Sequence, residues 1–341
     1  MAAKPHKPIP FDQVLAALLD PEKTFPPAFL RSFSDLELRH RIELMKIWNQ
    51  IDPQRRIHLL EDLEELEDMD YTVSFNEVAR VALKDPEPDV RIIGIRLLWG
   101  VTSEGLAATF IRLMQSDPVD GVRAQAAAGL GYFIYMGELE EINPELLHTC
   151  EDALIAAYHR GKSVLIRRRA LESLGYSSRP EVPAMIRKAY SISEDDWLNS
   201  SLVAMGRSAN SRWGKYVLAS LENQKVSVQV DAIHAAGELS LEQAREPLLQ
   251  WLEDGVEDEE VFLEIVWALS SIGGEGVRPA LEKILEESDD DEDADIIEDA
   301  LDNLLMTEGL ADLNMFDFDV EDADDIETKS TKSKSGKHGS Q

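Results

Sequence analysis

The chain has 341 residues, 44% of them hydrophobic, and its 66 Asp and Glu against 34 Lys and Arg leave a formal net charge of −32. That balance argues against nucleic acid and anionic membrane as general partners, because both are repelled by it. The single cysteine, Cys150, excludes an intramolecular disulfide and suits a reducing compartment. No apolar run reaches the ~18 residues of a membrane span, and the opening MAAKPHKPIP lacks an apolar signal core, so a cytoplasmic protein is expected.

Residues 1–10 carry three prolines and are expected to be irregular. Phe11, Val14, Leu15, Leu18 and Leu19 then fall on one side of a short amphipathic helix, and DPEKTFPPAF reads as a proline-broken loop. Ser34 with Glu37 three residues on has the form of a capping box, opening a helix to about Gln50. Asp52-Pro53 starts another, whose apolar stripe runs Ile57, Leu60 and Leu63. From Phe75 the spacing predicts helices in pairs: 75–83 with 88–101, 104–115 with 119–136, 144–159 with 163–175 and 180–190 with 194–206. The pairs 210–222 with 226–238, 241–253 with 258–272 and 276–287 with 293–305 follow. Turn signals divide them, namely Asp85-Pro86, Asp117-Pro118, Asn143-Pro144, Arg179-Pro180 and Gly273-Gly274.

The second helix of each pair repeats one grammar, most completely in DPVDGVRAQAAAGLG from Asp117. Aligning Val90, Val122, Ile166, Trp197, Val228, Val261 and Ile296 gives steps of 32, 44, 31, 31, 33 and 35 residues. Four residues on stand Gly94, Ala126, Ala170, Ser201, Ala232, Ile265 and Ala300. Eight on stand Leu98, Leu130, Leu174, Met205, Ala236, Leu269 and Leu304, so each set shares a helical face. A period of about 20–50 residues marks a solenoid, whose repeats bury their apolar faces only by stacking. The expected fold is all-α, a right-handed α-solenoid of stacked helix pairs. The long step holds an insertion, FIYMGELEEINP, in which Phe133, Tyr135 and Met136 either pack into the junction or form an exposed ridge.

These repeats resemble the HEAT family, of armadillo-type superhelical fold, in the short form known from phycobilisome-lyase-type HEAT-like proteins. The resemblance rests on Val122-Arg123, Ala126-Ala127 and Leu130-Gly131, and on Ile166-Arg167, Ala170 and Leu174-Gly175. It covers about 75–306 and more loosely 34–70, giving an N-terminal segment 1–33, an array 34–306 and a disordered tail 307–341. It implies a binding scaffold, since most HEAT arrays bind proteins; the lyase-type name implies, as an alternative, an accessory factor acting on a bilin carrier. Arg91, Arg123 and Arg167 occupy the family's ladder position, where arginine pairs with a loop aspartate such as Asp85 or Asp117.

Little in the sequence points to chemistry. None of His6, His40, His58, His148, His159, His234 and His338 is followed by Glu, so the iron-binding His-Glu pairs of HEAT-like deoxyhypusine hydroxylases are absent. His148 and Cys150 are two apart and fall on different helical faces. The run 289–295 alternates carboxylates like a calcium loop, but Ala294 stands where the turn needs glycine and Ala300 where the last ligand belongs. The chain therefore reads as a non-enzyme with no metal and no cofactor.

Surfaces are the better candidates. In such arrays the second helices line the concave face, and positions two, three and six after each anchor should point outward there. They include Ile92, Ile93 and Arg96; Ala124, Gln125 and Ala128; Arg168, Arg169 and Glu172; Asn199, Ser200 and Val203; and Val230, Asp231 and His234. Leu263, Glu264 and Trp267, then Glu298, Asp299 and Asp302, complete the set. From these, Arg96, Gln125, Arg168, Arg169, Glu172, Val203, His234 and Trp267 form the candidate partner-binding set. Residues 158–216 hold eleven Lys or Arg against five Asp or Glu, whereas 286–328 hold twenty Asp or Glu and no Lys or Arg. The basic band suits an acidic partner segment, or the tail itself as an autoinhibitory ligand, with Leu313, Phe316 and Phe318 as its apolar motif. A monomeric scaffold holding a protein partner is the expected function.

Overall fold

The computed structural model describes residues 9–288 and 291–315, and all regular structure among them is helical. It comprises two units, residues 1–239 and 240–341.

In the first unit α1 (Phe11–Leu19), α2 (Leu38–Ile47) and α3 (Pro53–Met69) precede five pairs. These are α4 (Asn76–Ala82) with α5 (Pro88–Arg96), α6 (Glu104–Ser116) with α7 (Asp120–Glu138), and α8 (Pro144–Arg160) with α9 (Val164–Leu174). The last two are α10 (Val182–Tyr190) with α11 (Asp195–Arg207), and α12 (Gly214–Leu221) with α13 (Val226–Glu238). Each second helix packs on the next, in the order α3, α5, α7, α9, α11, α13. Thus α3, in the stretch 34–70 where the resemblance is looser, is the first member of the row. The second unit holds α14 (Glu242–Asp254), α15 (Glu259–Ile272), α16 (Val277–Glu287) and α17 (Asp291–Met315), with α15 against α17 and α14 against α16.

The repeat positions form the core. Val90, Val122, Ile166, Trp197, Val228 and Val261 are buried, and so are the residues four and eight places on. One register is corrected: Ile296 is 40% exposed and Ile297 is 0%. Spacings of three and seven share a helical face with spacings of four and eight, so Ala300 and Leu304 fitted either isoleucine. The "LG" glycines have a physical cause. A Cβ on Gly175 would lie 2.8 Å from both Cα and the carbonyl oxygen of Ala204, so α9 and α11 approach too closely for a side chain.

Asp52 caps α3, accepting the amides of Gln54 at 2.9 Å and Arg55 at 3.3 Å. Ser34 is no capping box. It follows a 3-10 helix, Pro27–Phe33, that begins in the expected loop and runs past its end, and its hydroxyl accepts the Ser74 amide at 3.1 Å. Asp35 donates its amide to the Ser74 carbonyl at 2.8 Å, and Glu37 becomes an N-cap without a side-chain bond. A tertiary contact has replaced the local one. α17 runs ten residues past Leu305, where the repeat pattern faded, because LMTEGLADLNM contains no proline and mostly helix-tolerant residues. Leu313 thus belongs to its backbone, while Phe316 and Phe318 lie outside the described residues.

Candidate interaction face

The expected arginine ladder is built as far as aspartates exist to receive it. Arg91 forks onto Asp117 through Nε at 2.9 Å and Nη2 at 2.8 Å, and its Nη1 donates to the Asp85 carbonyl at 2.7 Å. Asp85 in turn meets Arg56 of α3 at 3.4 Å. The turns 160–163 and 191–194 contain no aspartate. Arg123 accordingly bonds the Met114 carbonyl and Asp120, and Arg167 bonds the Tyr158 carbonyl beside the rings of Tyr158 and Trp197.

Lateral packing of the second helices changes the predicted partner-binding set. Ile93, Ala124, Ser200 and Glu172 are buried rather than outward, because each lies toward a neighbouring second helix. Glu172, 5% exposed, accepts the Ser200 hydroxyl at 2.6 Å and Arg169 Nη1 at 2.6 Å. Arg168 donates Nε to Ser200 Oγ at 2.9 Å and pairs with Asp196. The structure therefore brings Arg168, Arg169 and Glu172 together in one network, in which Glu172 is buried and Arg169 stays exposed. Arg96 pairs with Glu64 of α3, which holds its guanidinium pKa above the usual value. Gln125, Val203 and His234 are half-buried on α7, α11 and α13. His234 Nε2 lies 3.9 Å from Glu238. Trp267 is borderline exposed on α15, in the second unit.

Of the basic band, Arg160, Lys162, Arg187, Lys188, Arg212 and Lys215 remain exposed, without a carboxylate within salt-bridge distance among the described residues. They sit on α8, α10, α12 and the adjoining turns, not on the second helices. Arg179, by contrast, binds Glu181, Asp152 and the buried Glu151.

A file of aromatic rings lies where α5, α7 and α9 end, and only its Tyr135 was singled out from the sequence. Trp99 and Tyr132 have ring centroids 5.6 Å apart, Tyr132 and Tyr135 6.3 Å, and Tyr135 and Tyr176 5.3 Å. The Arg207 guanidinium lies 5.1 Å from the Tyr176 centroid. Burial pushes the Tyr176 hydroxyl pKa up, with Arg207 opposing and Glu238 adding to the rise. Trp99 is 50% exposed and Tyr135 43%. Phe133, between Tyr132 and Tyr135 in sequence but turned inward, is buried against Phe110, so the insertion supplies both a core ring and a surface ring. The signal was present in the repeat, because Tyr132, Tyr176, Arg207 and Glu238 all stand ten residues after their anchors. Trp99 stands nine after its own, since α5 tightens at its end into bonds such as Leu98 N–H to the Ile95 carbonyl.

Residues 215–302 match the family described as HEAT repeats. Over that stretch the chain carries HEAT repeats. Solved structures similar to it include YibA of E. coli, at 19% identity and TM-score 0.42, over 83% of this chain and 97% of that one. Importin beta matches at 12% identity and TM-score 0.42, over 87% of this chain and 47% of that one, so this chain spans about half its length. An engineered protein matches at 16% identity and TM-score 0.37, over 85% and 87%. No curated protein matches. Among the described residues, no group of three or more His, Cys, Asp and Glu is placed to hold a metal. None of its described helices is long and apolar enough to cross a membrane.

Proposed function

We propose that the chain is a non-catalytic, cytoplasmic scaffold whose array, 34–306, holds a protein partner along the second helices of residues 1–239. The observation that carries this is the file Trp99–Tyr132–Tyr135–Tyr176, a contiguous aromatic surface contributed by successive repeats. Exposed aromatic clusters are what binding surfaces are made of, because large rigid rings bury much area at small entropic cost. Gln125, Val203 and His234 would carry the face along α7, α11 and α13, whereas Arg168 and Glu172 bond across from α9 to α11. Trp267 would be a separate contact on the second unit.

A second reading has its own observation. Arg187, Lys188, Arg212 and Lys215 are unmatched on the α10 and α12 side, which favours an acidic partner segment there.

A photo-crosslinking residue placed at Gln125 or Val203, and separately at Arg187, tests both in cells. Discrete cross-linked products from Gln125 and Val203 are expected. Products from Arg187 alone overturn the second-helix reading in favour of the basic side.

A further inference from the structure

We propose that the aromatic file is a track for an extended, cationic segment of the partner protein, whose Arg side chains stack on Trp99 and Tyr135. This rests on the scaffold reading above and names the partner's chemistry. The chain already contains one such contact: Arg207 lies 5.1 Å from the Tyr176 centroid, so the file takes a guanidinium in this setting. Trp99 and Tyr135 present rings of the same file to solvent.

Three features of the surroundings select a cation. The loops beside Trp99, Tyr132 and Tyr135, residues 97–103 and 137–143, contain Glu138, Glu140 and Glu141 and no Lys or Arg. The file lies at or near the carboxyl ends of α5, α7 and α9, where the helix dipole presents partial negative charge. The whole chain, at −32, draws in basic ligands and repels acidic ones. Spacing selects an extended ligand. Trp99 and Tyr135 are separated in the file by Tyr132, at successive centroid distances of 5.6 and 6.3 Å, a span that side chains set ~7 Å apart along an extended strand can bridge. Nucleic acid bases also stack on rings, but their phosphates meet the same carboxylates unfavourably.

Fluorescence anisotropy of the full-length chain with labelled peptides of alternating Arg-Gly, Lys-Gly and Glu-Gly, each about ten residues long and at ~0.15 M salt, decides the matter. The Arg-Gly peptide is expected to bind, the Lys-Gly peptide more weakly, and the Glu-Gly peptide not at all. Trp99→Ala and Tyr135→Ala should each weaken Arg-Gly binding about five-fold, while Trp99→Phe keeps most of it. Both positions are largely exposed, and circular dichroism checks that each variant folds. If Arg-Gly binding is the same in wild type and both alanine variants, attraction is diffuse and the track is wrong. Preference for Glu-Gly overturns it equally. Persistence of the Gln125 and Val203 cross-links in that case leaves the scaffold standing. Their loss while Trp99 still governs peptide binding removes the scaffold and keeps the track.

Discussion

Asp117→Ala should be far more costly than its place in a turn suggests. The carboxylate takes both prongs of the Arg91 fork at 2.8 and 2.9 Å, and the two side chains are only 8% and 5% exposed. Removing it strands a buried guanidinium, which costs about 3–5 kcal/mol in comparable sites. The Arg91 bond to the Asp85 carbonyl survives and moderates the loss. The loss of the Val119 amide bond to Asp117, 3.0 Å long, adds to it. A net loss of about 4 kcal/mol corresponds to a fall in melting temperature of roughly 8–16 °C for a cooperative unit of this size. Urea unfolding followed by circular dichroism measures it, beside Arg91→Met and the double variant Arg91→Met with Asp117→Leu. The double variant should recover to within about 1 kcal/mol of wild type, because two apolar groups leave no charge unpaired. A cost for Asp117→Ala below about 1 kcal/mol, or one halved by high salt, would mean an ordinary surface pair and would refute the reasoning.

Gly175→Ala forces a Cβ against the Ala204 backbone and should destabilise the array by about 1–3 kcal/mol, whereas Gly105→Ala, with open space around it, should not; thermal melts compare them. Arg168→Glu puts a carboxylate beside buried Glu172 and Asp196, so urea midpoints should fall before any effect on binding is read. The Cys150 thiol, pushed up to about 12 chiefly by burial, should resist iodoacetamide near neutral pH and react fully in denaturant; labelling of the folded protein at neutral pH would contradict the burial. Asp70 is held down to about 2 by the Thr72 hydroxyl and amide and by Arg31. Its folded value lies below its unfolded one, so its contribution is present above ~pH 4 and fades as pH falls toward 2. Asp70→Asn should flatten the acid limb of the stability curve in that window, and an unchanged limb would show the carboxylate to be idle.

The sequence by itself determined the helices, their pairing and most of the core. The prolines and aspartates at Asp85-Pro86, Asp117-Pro118 and Asn143-Pro144 act within a few residues. The anchor spacing names buried positions through the 3.6-residue turn alone, so α6 through α16 fall close to their expected bounds, while α5 ends at Arg96, short of the expected 101. What lay beyond it was decided between helices. The Ser34–Ser74 contact displaced a local cap, and Ile297 rather than Ile296 was chosen by packing. Glu172 and Ser200 went inward, though their helical angle pointed out, because neighbouring second helices touch along their flanks and close over them. The same lateral contact gathered Trp99, Tyr132, Tyr135 and Tyr176 into one file. In the sequence these are aromatics from three separate repeats; they become one surface because stacking sets the carboxyl ends of α5, α7 and α9 side by side.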